Sequence, residues 1–146
     1  MIVTTFFDTE TVGMMNNKVL WGLQILTALA FGGSGAMKLA TPADQLRANP
    51  QMGWTTEFGD NDIKAIGAAE VLGAVGLIAP AATGIAPLLT PLAGAGLSAL
   101  MGGAAYTHVR RGEPPVAPAV LGVLALASGL LRWRQRRQGA RTVALA

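Results

Sequence analysis

The sequence contains no cysteine and a single histidine. The absence of cysteine excludes disulfides, thiolate catalysis and zinc or iron–sulfur centres held by cysteine. One histidine without a surrounding acidic cluster does not make a metal site, so we predict no bound metal. No glycine-rich phosphate loop follows a predicted strand, and nucleotide binding therefore has no support.

Charge is also scarce, because only 13% of the residues are charged. Soluble domains average about 25%. Half of the chain is hydrophobic (51%), and it has 19 glycines. This composition is typical of a polytopic membrane protein whose helices pack through small residues, and it predicts the lipid bilayer as the surroundings.

Four apolar segments set the predicted fold. They cover about residues 19–39, 63–79, 88–109 and 115–131. A membrane span needs about 20 residues, within a range of about 17–25, and an open strand cannot satisfy its backbone in lipid. We therefore predict an all-α polytopic membrane protein. Its transmembrane domain, residues 18–131, would be an antiparallel bundle of four transmembrane helices between an N-terminal tail (1–17) and a basic C-terminal tail (132–146).

The basic residues predict the orientation of this bundle. Five of the eleven lie between Arg132 and Arg141, directly after the last apolar segment. A basic tail in that position is an anchor at the anionic cytoplasmic leaflet rather than a nucleic-acid-binding patch. An even number of spans places the N-terminus on the same side. We thus predict a multi-pass protein of the inner (plasma) membrane with both termini cytoplasmic and no nucleic-acid partner.

Glu70 is the only charged side chain between Ala65 and Val109. A charge near the middle of a spanning helix costs about 2.5–3.5 kcal/mol on insertion scales, so one that persists there usually has a task. Lys38 ends the first span and His108 ends the third. Because alternate spans run in opposite directions, these three side chains share one leaflet and predict a half-buried polar pocket. Burial and mutual contact give such groups the means for proton transfer, so we assign Glu70, His108 and Lys38 as catalytic candidates.

Further side chains are predicted to line this pocket as a substrate-binding set. Gln24 and Ser34 lie on the polar stripe of the first span that leads to Lys38, at helical spacing. The loop over residues 40–62 is longer than a helix connection needs and is predicted to cover the pocket mouth. The full set is Ser34, Tyr106, Trp54, Gln24 and Met101.

Each of these residues also has a purely structural interpretation. Lys38 is long enough to snorkel to the interface, and Glu70 could be paired with a lysine across helices. His108 could be hydrogen-bonded to a carbonyl, and Tyr106 is typical of an aromatic belt. The interpretation as a pocket depends on the conjunction of three ionisable groups in one leaflet.

Several stretches resemble the DoxX-like family of small four-helix membrane proteins. They are FGGSGAMKLATP, MGWTTEF, IGAAEVLGAVGLIAP and TGIAPLLTPLAGAGLSALMGGAAYTHVRRGE, and the similarity covers about residues 21–131. The resemblance implies a four-helix membrane fold. It matches family positions at Lys38, Glu70, His108, Arg110 and Arg111. The family takes its name from a subunit linked to thiosulfate:quinone oxidoreduction, and other members look like accessory proteins.

Three functions stay open on the sequence. The preferred one is a pocket for a lipophilic small molecule, with acid–base chemistry at Glu70 such as isomerisation or water addition. The second is a quinone-linked oxidoreductase subunit of DoxX type, with quinone as the ligand and a membrane redox protein as partner. The third is an accessory or assembly protein, to which a second copy of the chain could also bind. No resident cofactor is predicted.

Overall fold

The computed structural model describes residues 9–144, with side chains over residues 17–140. Every regular element in that range is a helix, which confirms the all-α prediction. In chain order they are α1 (Thr9–Ala40), α2 (Ala43–Ala48), a 3₁₀ helix η1 (Pro50–Glu57), α3 (Asp60–Thr83), α4 (Leu89–Arg110) and α5 (Val116–Ala144).

Within the described residues, three helices are long and apolar enough to cross a membrane. Their candidate spans are Asn17–Ala40 in α1, Asp60–Thr83 in α3 and Val116–Ala140 in α5. The apolar helices thus agree with the predicted multi-pass membrane protein. α4 is 22 residues long but is not among these three spans.

The helices extend beyond the predicted segments. The second predicted segment ends at residue 79, before Pro80, but α3 continues to Thr83, where Gly84 takes a left-handed conformation (φ 74°) and ends the helix. Proline removes one backbone hydrogen bond but does not stop a helix that is packed on its neighbours. Arg136 of α5 donates from Nη2 to the carbonyl oxygens of Pro80 (3.1 Å) and Ala81 (3.3 Å), which satisfies acceptors at this helix end.

Helices extend into both predicted tails. Residues 9–17 form the first turns of α1, and residues 132–144 continue α5. The arginine- and glutamine-rich sequence after Leu131 consists mainly of good helix formers, which explains the continuation. Residues 1–8 and 145–146 of the predicted tails lie outside the described residues.

The predicted loop over residues 40–62 is folded rather than extended. We call residues 42–58, which include α2 and η1, the cap segment. Ala43 and Leu46 of α2 pack on Ile63 of α3, with Met52 and Phe58 against the same cluster. The cap segment is thus fixed on the start of α3 by its own small apolar core.

The long helices pack in a defined pattern, with α1 on α3, α4 on α5, α3 on α4, and α1 on α5. Their shared core includes Phe31, Leu77, Leu97, Met101 and Ala125. Glycines allow the closest approaches. A Cβ at Gly94 would lie 2.5 Å from the carbonyl oxygen of Ala125, and one at Gly35 would lie 2.5 Å from that of Gly67. Backbone contact of this kind is how membrane helices pack without large side chains.

Candidate functional site

A cavity of about 500 Å³ lies beneath the cap segment, where the end of α1, the first half of α3, the end of α4 and the start of α5 meet. Most of its wall is apolar. The lining residues are Ser34, Lys38, Met52, Trp54, Phe58, Ile66, Glu70, Leu100, Met101, Gly103, Ala104, Thr107, His108, Ala117, Pro118 and Leu121.

A buried ion pair between α1 and α3 forms one polar part of this wall. Lys38 Nζ lies 2.7 Å from Glu70 Oε2, and the two side chains are only 5% and 4% exposed. Lys38 Nζ also donates to Ser34 Oγ at 2.6 Å and lies 5.7 Å from the centroid of the Trp54 ring. Two hydrogen bonds and an aromatic face therefore hold the ammonium at the cavity wall.

The contact with Lys38 involves only one of the two carboxylate oxygens of Glu70. Oε2 accepts from Lys38 at 2.7 Å, and the side-chain hydrogen bonds found among the described residues include none to Oε1. Small residues let the two helices approach here, since a Cβ at Gly35 would lie 3.0 Å from Glu70 Cβ. One carboxylate oxygen is thus left as an acceptor at the cavity wall.

His108 forms a second polar part of the wall, on α4. Its Nδ1 lies 2.8 Å from Glu113 Oε2. A carboxylate next to Nδ1 favours the tautomer that carries its proton there, which leaves Nε2 with a free lone pair. Glu113 is held in turn by Arg111, whose Nε donates to Glu113 Oε1 at 2.7 Å.

Arg111 links this arrangement to the cap segment. Its Nη1 lies 3.3 Å from Glu57 Oε1 and 3.4 Å from Thr56 Oγ1. Its hydrogen bond, followed by that from His108, holds the pKa of Glu113 below its ordinary value of 4.5, and the contact with Glu113 raises the pKa of Arg111. Because the folded pKa of Glu113 is lowered, this contact is complete above the ordinary pKa and is lost as the pH falls through the folded one.

The structure brings six of the eight predicted site residues to one cavity. They are Ser34, Lys38, Trp54, Glu70, Met101 and His108. It does not pair His108 with Glu70 directly, because Glu113 occupies the Nδ1 side of the imidazole. Trp54 belongs to the cap segment and packs edge-on against Phe58 at 5.6 Å between ring centroids.

Tyr106 and Gln24 lie elsewhere. Tyr106 is 64% exposed, and its ring lies 5.8 Å from the guanidinium of Arg110. Residues two apart on a helix are separated by about 200° around its axis, so Tyr106 and His108 do not share a face. Gln24 is buried in the middle of α1, in the first half of the span Asn17–Ala40, where its Nε2 donates to the Leu77 carbonyl oxygen at 2.7 Å.

Gln24 instead helps to hold a buried arginine. Its Oε1 accepts from both Nε (2.7 Å) and Nη2 of Arg132, which is only 5% exposed. Arg132 also donates to Asn17 Oδ1 at 3.0 Å and lies 4.4 Å from the centroid of the Trp21 ring. This network joins α1 to α5 far from the cavity, so it positions helices rather than a ligand.

The residue that sequence reasoning missed is Glu113. The signal was the glycine just past the end of α4. Gly112 has a φ of 71°, and this turn brings the Glu113 amide to the His108 carbonyl oxygen at 2.9 Å. A left-handed glycine after a helix is a common way to end it, and it folds the next side chain back onto the last turn.

Comparison with known proteins gives one positive result. The model of the DoxX-like family matches residues 22–129. Neither the curated proteins nor the solved structures gave a match. The matched region contains every residue that lines the cavity, 19 of the 32 residues of α1 and 14 of the 29 residues of α5. The chain therefore belongs to the DoxX-like family.

Proposed function

We propose that this protein is an antiparallel bundle of four transmembrane helices whose cavity binds a lipophilic small molecule and holds groups for proton transfer. The observation that carries the proposal is the cavity itself. It combines an apolar wall with Lys38, Glu70 and His108 on a chain that has few charges. Binding cavities for small molecules are mostly apolar, with a few convergent polar groups, and measure about 300–1,000 Å³.

Contacts between helices support the bundle. The end of α1 meets the first half of α3 at Lys38 and Glu70, and the first half of α1 meets the end of α3 at Gln24 and Leu77. The two helices therefore run in opposite directions. On α4, a Cβ at Gly94 would touch α5 at Ala125, deep in the apolar part of that helix. α4 thus runs beside the three more apolar spans, and we propose that it crosses the membrane with them.

Charge supports an orientation with both termini cytoplasmic. All six acidic side chains within residues 17–140 lie at the cavity end: Asp44, Glu57, Asp60, Asp62, Glu70 and Glu113. The described side chains at the other end include only basic charges: Lys18, Arg132, Arg134, Arg136 and Arg137. Anionic lipid attracts such basic segments to the cytoplasmic leaflet. The cavity would then open toward the outer leaflet.

The chemistry of the cavity favours His108 as the group that moves a proton. Glu70 is already paired with Lys38, whose Nζ lies 2.7 Å from Glu70 Oε2. The Nε2 atom of His108 has no such partner in the described range. In an isomerisation, the imidazole would take a proton from the carbon next to a carbonyl and return it to another carbon. The Lys38 ammonium would stabilise the negative oxygen formed in between.

A fluorescence experiment tests ligand binding directly. Replacing Trp21 and Trp133 by Phe leaves Trp54 as the only tryptophan, at the cavity wall. A long-chain alcohol brominated in mid-chain, which quenches tryptophan on contact, is added to this variant in vesicles. We expect saturable quenching that the unbrominated alcohol of equal length reverses. Quenching that rises linearly, as for a tryptophan in bulk lipid, would refute the cavity as a ligand site.

The same assay separates the alternative functions. Displacement of the brominated alcohol by a long-chain quinone at much lower concentration would favour the quinone-linked subunit. An absence of saturable quenching, with a partner protein retained through purification, would favour the accessory role.

A further inference from the structure

The cavity shares part of its wall with a groove on the outside of the protein. This groove, of about 690 Å³, runs along α5 beside the end of α4 and is lined by His108, Glu113, Pro114, Val116, Ala117, Val120 and Leu121. Three of these residues also line the cavity: His108, Ala117 and Leu121. The inner space and the outer groove are therefore separated by the thickness of single side chains.

The groove faces the lipid. It lies at the start of Val116–Ala140, one of the apolar spans, and two of its residues, Val116 and Val120, are 64% and 51% exposed. Exposed apolar side chains on a spanning helix contact acyl chains. The side of the cavity nearest to water is, in contrast, covered by the cap segment. Arg111 holds that segment to the α4–α5 turn through Glu57.

The polar groups of the cavity define the ligand's head. Lys38 and Glu70 neutralise each other, and His108 is bonded to Glu113, so no charge in the cavity requires a charged ligand. The available atoms are the acceptors Glu70 Oε1 and His108 Nε2, beside the ammonium of Lys38. A hydroxyl or carbonyl group matches this set, because it can donate to one of these atoms or accept from the ammonium.

We infer that the cavity is loaded from the bilayer, through the α4–α5 groove, by a neutral amphiphile with a hydroxyl or carbonyl head and an apolar chain. The head reaches the Lys38–Glu70 pair and His108, and the chain trails past Ala117 and Leu121 into the groove. This inference rests on the proposed function, since it gives the ligand class and entry route of the same cavity.

The rate of quenching tests the route. The single-tryptophan protein in vesicles is mixed rapidly with donor vesicles that carry the mid-chain-brominated alcohol, and the quenching of Trp54 is followed in time. Val120→Phe narrows the groove without lining the cavity, and we expect it to slow the saturable phase at least tenfold. Leu121→Ala shortens a side chain in the wall between the cavity and the groove, and it should accelerate the saturable phase. Val123→Phe is the matched control, because Val123 is an exposed residue of α5 outside the groove. Its saturable phase should have the same rate as that of the parent protein.

The outcomes separate the route from the function. Saturable quenching with the same rate in Val120→Phe, Leu121→Ala and the control would overturn the lateral route and place entry beneath the cap segment. A Val123→Phe protein slowed as much as Val120→Phe would also overturn it, since the effect would then not belong to the groove. If the parent protein shows no saturable quenching, the proposed function itself fails and the route fails with it.

Discussion

Lys38→Met will destabilise the protein by about 3–5 kcal/mol. It removes one partner of an ion pair whose side chains are 5% and 4% exposed and leaves the Glu70 carboxylate buried without a counter-charge. The double variant Lys38→Met/Glu70→Leu should recover most of this loss, because well-packed apolar side chains commonly replace a buried pair at little cost. Unfolding by SDS titration in mixed micelles measures both changes.

A pair at the surface provides the control. Arg47 Nη2 and Asp60 Oδ1 lie 2.6 Å apart, but their side chains are 31% and 69% exposed. Exposed pairs contribute about 0–1 kcal/mol, so Arg47→Met should have a much smaller effect. If Lys38→Met is no more destabilising than Arg47→Met, the Lys38–Glu70 pair is not the desolvated centre that we describe.

His108→Asn will slow proton transfer in the cavity by about 10²–10⁴-fold, the usual contribution of a positioned acid or base. The probe is a long-chain ketone in vesicles prepared in heavy water, and mass spectrometry follows the exchange of hydrogens next to its carbonyl. The parent protein should accelerate this exchange over empty vesicles. Asparagine keeps a polar side chain of similar size but cannot take up the proton.

Three further variants test whether the effect belongs to the imidazole of His108. Glu113→Ala, which removes the acceptor at Nδ1, should reduce exchange by less than His108→Asn does. The double variant of the two should be little worse than His108→Asn alone, because Glu113 acts through the imidazole. Tyr106→Phe, at an exposed position outside the cavity, should have no effect. Exchange at the parent rate in His108→Asn would show that the imidazole does not transfer the proton.

The scarcity of charge predicted a helical membrane protein, and it also drew attention to Lys38, Glu70 and His108, which the structure places at one cavity. An isolated charge in an apolar sequence is costly to bury, so Glu70 was expected to have a charged or polar partner. In the structure that partner is Lys38. His108 followed from the alternating direction of the helices, which places the ends of α1 and α4 together. The structure adds the cavity between these groups and the Arg111–Glu113 contact behind the imidazole.

Two predicted site residues lie away from the cavity, because helical spacing gives a face or a depth but not both. Gln24 shares a stripe with Lys38 but lies 14 residues away, which is about 21 Å along the axis at a rise of 1.5 Å per residue. It therefore binds Arg132 at the other end of the bundle. Tyr106 has the right depth but the wrong face.

The cap segment could be predicted only in outline. The long polar sequence between the first two spans indicated a cover for the pocket mouth, and Trp54 of this segment lines the cavity. Its fold depends on distant contacts that no local pattern reveals. Among them are the packing of Leu46 on Ile63 and the reach of Arg111 to Glu57.

The central claim is that the cavity holds a lipophilic small molecule, and two neighbouring glycines of α4 provide the most direct measurement. A Cβ at Gly102 or at Gly103 would meet no atom within 4 Å, so each position accepts a larger residue. Gly103 lines the cavity, whereas Gly102 does not. Gly103→Leu should therefore fill ligand space, and Gly102→Leu should place the same side chain outside it.

Small molecules retained by the purified parent protein and by both variants are extracted and quantified by mass spectrometry against bulk phospholipid. We predict a neutral lipophile enriched with the parent protein and with Gly102→Leu, and reduced at least tenfold in Gly103→Leu. The same profile of bulk lipid in all three proteins, or an enriched lipophile that Gly103→Leu retains in full, would contradict the account.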